Sequence, residues 1–208
     1  MVAQPTNLLE IRAFLQAQAP FLAEREGLSS GHDDLDRLLS GGFPRGGLVV
    51  LSGLSGAGRM SVAAGVLAEE TKAGRPVAWI DGRGTLYPPA LASLGVAPER
   101  LLMVRGAKER SVYAAEQVID SGAFRVVVAS GLDGWLTATR ARRLQTAAEG
   151  ARVAALLLLE PPAAAQLQNV ALRLGLTRRK SAIQVEVEKD RAGRATGRRI
   201  ILPQSMAA

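Results

Sequence analysis

The spacing of apolar positions changes along this chain, and each change marks a different kind of element. Between residues 7 and 18, Leu8, Ile11 and Leu15 stand at i, i+3 and i+7 with Leu9 and Phe14 beside them, which predicts an amphipathic helix. Thr6 is placed to cap it and Pro20 to interrupt it. A polar, glycine-rich segment follows, with a short helix predicted over 33–39 and ended by Gly41 and Gly42. From residue 48, short apolar runs alternate with helical patterns. The runs LVVLS (48–52), VAWID (77–81), LLMV (101–104), RVVVAS (125–130) and VAALLLL (153–159) predict buried strands. Helices are predicted between them over 61–73, 89–94, 110–121 and 136–149. Strands apolar on both faces and separated by helices imply a parallel sheet covered on both sides. After Pro161 and Pro162 the period falls to two, in LQNVALRLGLTRR, AIQVEVEKD and GRRIILP. DRAGRATG (190–197) supplies the turn between the last two, so the sheet is expected to end in antiparallel strands. The predicted class is α/β, with an N-terminal helical extension over 1–27 and a core domain over 28–208.

Composition narrows the setting. A chain of 208 residues suits one domain with a small extension. With no cysteine, structural disulfides and cysteine-based zinc sites are excluded, and a cytoplasmic location is the expectation. The apolar runs are far shorter than the roughly 20 residues that span a bilayer, and the first residues lack a basic start followed by an apolar stretch, so neither a membrane span nor a signal peptide is expected. The single histidine, His32, reads as a turn residue rather than a ligand. The net charge of +7 is concentrated: residues 140–199 hold 13 basic and 5 acidic side chains. Within that segment Arg178, Arg179, Lys180, Arg191, Arg194, Arg198 and Arg199 are candidates for contact with DNA phosphates or an acidic partner. The alternative is a solvated basic surface.

The candidate chemistry lies in GLSGAGRMS (53–61). Gly53 and Gly58 have the spacing of a phosphate-binding loop, between a predicted strand and a predicted helix. Gly53, Ser55, Gly56, Gly58 and Arg59 are therefore candidate anion contacts through backbone N–H groups, a helix N-terminus and a cation. The next two positions call for a lysine that reaches the phosphates and a hydroxyl that holds Mg²⁺. Arg59 and Met60 stand there. Arginine keeps the charge in a bulkier fork, whereas a thioether is a poor ligand for a hard cation. Ser61 is one position late, about 100° further round a helix. The competing reading is a structural turn that packs the helix close to the sheet.

Three ordered segments resemble the RecA recombinases, over about residues 28–202. GGFPRGGLVVLSG is similar to the RecA approach to its phosphate loop. VAWIDGRGTLYPPALASLGV is similar to the pattern F-I-D-A-E-x-A-L-D-P followed by K-L-G-V, and SGAFRVVVAS to the strand that ends in the Mg²⁺-associated aspartate. The resemblance implies a RecA-like P-loop core. It places Arg83 where the family has its catalytic glutamate and Ser130 where it has that aspartate, with Asp133 three residues later. The family's glutamine at the end of the fifth strand falls near Glu160 or Pro161. The connections 131–136 and 160–165 are shorter than the RecA DNA-binding loops, and the family's C-terminal domain is not expected.

Within the RecA-like proteins, the ending RLGLTRRKSAIQVEVEKDRAGR is similar to that of the ImuA accessory family of bacterial translesion synthesis. That resemblance implies a non-catalytic role in DNA-damage-induced SOS mutagenesis. It implies contacts with RecA and the Y-family-like ImuB and, indirectly, an error-prone DNA polymerase. ATP, if bound, is not expected to be hydrolysed, and no metal is expected. Leu8, Ile11 and Leu15 are the candidate docking residues for a RecA-like subunit; the competing fate of that stripe is the chain's own core. Two other functions stay open: an active RecA-like ATPase or recombinase paralogue, and a DNA-binding protein that uses the basic C-terminal third.

Overall fold

The structure is a computed structural model and describes residues 27–106 and 109–203. A short helix, α1 (Asp33–Leu38), precedes β1 (Gly47–Ser52), α2 (Arg59–Lys72), β2 (Val77–Asp81) and α3 (Pro88–Ser93). Then come β3 (Leu101–Arg105), α4 (Glu109–Asp120), β4 (Val126–Ser130), α5 (Ala138–Ala151) and β5 (Ala154–Leu159). A short α6 (Pro161–Ala165) leads to β6 (Leu172–Arg179), β7 (Ala182–Asp190) and β8 (Arg199–Pro203). The strands form one eight-stranded sheet in the order β3-β2-β4-β5-β1-β6-β7-β8. The pairs from β3 to β6 are parallel, and β6–β7 and β7–β8 are antiparallel.

The central strands alternate strictly between two cores. Val49, Leu51, Trp79, Val128 and Leu156 face α1, α2 and α3. Leu48, Val50, Ile80, Val127 and Leu157 face α4, α5 and α6. Burial on both faces is why these runs read as continuously apolar. Beyond β1 only one face of the sheet is covered. Leu174, Leu176, Ile183, Val185 and Leu202 join the α2-side core while the residues between them are part-exposed or exposed, and this produces the period of two.

Helix ends depart from the periodic pattern where caps decide them. The α2 helix starts at Arg59, two residues before the expected Ser61, because Gly58 adopts a left-handed conformation and serves as N-cap. The α5 helix starts two residues after the expected Leu136, at Ala138, where the Thr137 side chain accepts a hydrogen bond from the Arg140 N–H. Pro161 and Pro162 open α6 rather than a plain loop, as prolines do in a first turn. Among the described residues no helix is long and apolar enough to cross a membrane.

Candidate functional site

The segment between β1 and α2 is shaped by close approaches that only glycine permits. Gly53 donates its N–H to the Leu159 carbonyl at 3.2 Å. A Cβ on Gly53 would lie 2.7 Å from the Leu176 carbonyl oxygen and 2.9 Å from the Ala57 methyl. Gly56 and Gly58 have φ of +79° and +97°, and a Cβ on Gly58 would collide with the Ile183 side chain. The first intrahelical bond of α2 runs from the Val62 N–H to the Gly58 carbonyl at 3.1 Å. The amides at Gly58, Arg59 and Met60 thus precede the helical ladder and need a partner outside it. They open on a cavity of about 400 Å³ outside the carboxyl ends of β1, β2 and β4, the region where open α/β sheets hold ligands.

Five parts of the chain build that cavity, among them β5 through Leu158. The loop contributes Ser55, Gly56, Gly58 and Arg59, and the first turn of α2 adds Met60 and Ser61. Ser61, though one position late, still lines the space. The β2 side supplies Trp79, Asp81 and Arg83, the β4 side Ser130 and Asp133, and β6 supplies Arg178.

Its carboxylates are engaged by the protein itself. Asp81, only 1% exposed, accepts from the Arg83 and Gly84 N–H groups at 3.3 and 3.0 Å and from the Leu86 N–H at 2.8 Å. Asp133 accepts from the Glu160 N–H at 2.7 Å and pairs with Arg83 at 3.4 Å. The Trp79 indole N–H donates to the Ser130 hydroxyl at 3.0 Å, across the β2–β4 pairing. Arg59 is half-buried, and burial pushes its guanidinium below its ordinary range. Asp133 and Glu160 oppose that shift and Arg83 adds to it. The chemistry on offer is anion recognition by loop amides and by Arg59, Arg83 and Arg178. Among the described residues no cluster of His, Cys, Asp and Glu is suited to a metal ion.

Several candidates do not meet at this site. Leu8, Ile11 and Leu15 lie outside the described residues. The candidate basic residues of the C-terminal third fall into two groups. Arg178 and Arg179 end β6 and Lys180 begins the turn to β7, with Arg178 lining the cavity. Arg191, Arg194 and Arg198 occupy the β7–β8 turn at the far end of β7. At about 3.3 Å per residue, the length of β7 sets the two clusters roughly 25 Å apart. The far cluster is also partly paired: Arg191 meets Glu149 at 2.5 Å, and Arg199, on β8 itself, meets Glu186 at 2.8 Å. Asp81 and Trp79 escaped the sequence reading, although a carboxylate ending an apolar run was the available signal.

Comparison with known proteins places these features in one lineage. The model of the RecA N-terminal domain matches residues 16–139. The chain is 37% identical over 102 residues to the RecA protein of Picosynechococcus sp., covering 49% of this chain and 29% of that protein. It is 36% identical over 109 residues to RecA of Rhodospirillum centenum, covering 51% and 30% respectively. For RecA of Streptococcus pneumoniae the identity is 37% over 103 residues, 49% of this chain and 26% of the other. The chain thus spans under a third of the length of the RecA proteins it matches. The glycine loop, β1, β2, β4 and the Arg83–Asp133 pair all fall inside the matched region, and the chain belongs to the RecA N-terminal domain family.

Proposed function

We propose that this protein is a non-catalytic RecA-like accessory factor of DNA-damage-induced SOS translesion synthesis, close to the ImuA family, which acts by contacts with RecA and ImuB. Support comes chiefly from one observation. The glycine spacing of a phosphate loop is kept between β1 and α2, while the side chains at its chemical positions are Arg59, Met60, Arg83 and Ser130.

Each replacement has a physical consequence. A guanidinium at Arg83 accepts no proton at neutral pH, so the general base that activates water, typically contributing about 10²–10⁴-fold, has no counterpart there. The Ser130 hydroxyl already accepts from Trp79. Asp81 and Asp133, the carboxylates at the cavity, are engaged by backbone amides and by Arg83. The side chains present suit an anion better than a magnesium–nucleotide pair, and with no base the fold serves as a contact surface.

The partner assignment is tested by reconstitution. Purified chain is expected to retain RecA and ImuB on beads without added nucleotide. Leu8→Asp with Ile11→Asp is expected to abolish RecA capture while the melting transition stays in place. Undiminished capture by the double variant removes the helix-docking assignment, and failure of the unaltered chain to capture either protein removes the accessory role.

A further inference from the structure

The cavity mouth carries a second pattern that anion chemistry alone does not use. Met60 lines it and is exposed, and three more exposed apolar side chains stand within two residues of its lining along the chain: Leu54 before Ser55, Tyr87 after Leu86 and Trp135 after Asp133. Leu54 and Tyr87 are each 68% exposed. Aromatic side chains, Met and Arg are the residue types enriched where proteins bind one another.

The charge balance selects the chemistry of the occupant. Arg59, Arg83 and Arg178 line the space, and Arg179 and Lys180 follow Arg178 along the chain. Asp81 and Asp133 line it too, and Glu160 acts on Arg59 from nearby. Five formal cations against three carboxylates leave a small positive excess. A triphosphate exceeds that and depends on a divalent cation for the remainder. One or two carboxylates match it, and guanidinium forks bind carboxylates in bidentate fashion.

We infer that the former phosphate cavity is a receptor for an acidic peptide segment of a partner protein. The segment inserts a carboxylate side chain between Arg59, Arg83 and Arg178 and rests apolar neighbours on Trp135 and Tyr87. The inference deepens the accessory role and rests on it: the site where the family binds its nucleotide becomes a partner-docking site.

The test uses the full chain and a short fluorescein-labelled peptide rich in Glu and Asp with one Leu and one Phe, followed by anisotropy. Binding is expected at low salt, weakening as salt rises, with tryptophan emission changing on saturation. Arg178→Glu changes an exposed side chain near the end of β6. It is expected to weaken binding by about tenfold or more, the scale of losing a desolvated charge pair. Arg59→Glu should act likewise, and Trp135→Ala should cost several-fold. A peptide with Lys in place of its acids should not bind. The inference is overturned if the acidic peptide fails to bind, or if Arg178→Glu and Arg59→Glu bind it as the unaltered chain does. It is also overturned if Mg-ATP or a single-stranded oligothymidylate displaces the peptide at lower concentration than unlabelled peptide does. Loss of the peptide site with RecA and ImuB capture retained removes only this inference, whereas loss of that capture removes the accessory role itself.

Discussion

Asp81 ends a buried strand as a carboxylate, and the loop after β2 is organised around it. Its oxygens take the Arg83, Gly84 and Leu86 amides, so Asp81→Ala leaves donors without partners in a buried place. Urea unfolding is expected to report a loss of about 3 kcal/mol; a loss below about 0.5 kcal/mol means that water replaces the carboxylate. Gly58 is a second decisive residue. Its φ of +97° and the Ile183 side chain against it make Gly58→Ala costly by about 1–3 kcal/mol, through strain and overlap together. The glycine spacing made Gly53 and Gly58 readable from the sequence, because their role is local. Trp79 reads as one more apolar strand residue, and Asp81 shows only as a carboxylate that ends the run, with no partner named. Their polar atoms find partners only when a loop folds back, or when β4 is laid beside β2.

At the level of elements, the strands with sharp chemical edges were legible to the residue. Val77–Asp81 and Ala182–Asp190 match the expected limits, since an apolar run and a strict alternation end abruptly there. The starts of α2 and α5 each shifted by two residues because a cap, not the apolar period, sets them. The β6–β7 hairpin carries a pH dependence of its own. Burial raises the Glu188 carboxyl above its ordinary range, with Arg173 opposing and Glu186 reinforcing the shift. A carboxyl raised in the folded state binds its proton more tightly than in the unfolded chain. Stability therefore falls as pH rises through the interval from the ordinary glutamate value to the folded one. Glu188→Gln is expected to be more stable than the unaltered chain at neutral pH. The advantage should vanish as pH drops below about 4.3, the ordinary glutamate value. Thermal melts across that range check it, and a constant difference between the two proteins would assign the effect to packing instead.

On the scale of the whole molecule, the arrival of β6 beside β1 is the step that local patterns do not encode. That pairing closes Leu176 over Gly53 and carries Arg178 to the cavity, while Arg191, Arg194 and Arg198 are left at the opposite end of the hairpin. If DNA is touched at all, the two ends must differ: replacing Arg178, Arg179 and Lys180 by Ala and replacing Arg191, Arg194 and Arg198 by Ala are not equivalent changes. Electrophoretic shifts of single-stranded DNA at low salt are expected to respond to the first set and not the second, and equal responses would mean that contact is spread over both ends. The central proposal is that a loop with the family's glycine spacing lacks ATPase chemistry. Titration of the purified chain with ATP and Mg²⁺, read by calorimetry and by phosphate release, tests that most directly. The account predicts no phosphate release above background and no tightening of any binding by Mg²⁺. Micromolar, Mg²⁺-dependent ATP binding with turnover would contradict it.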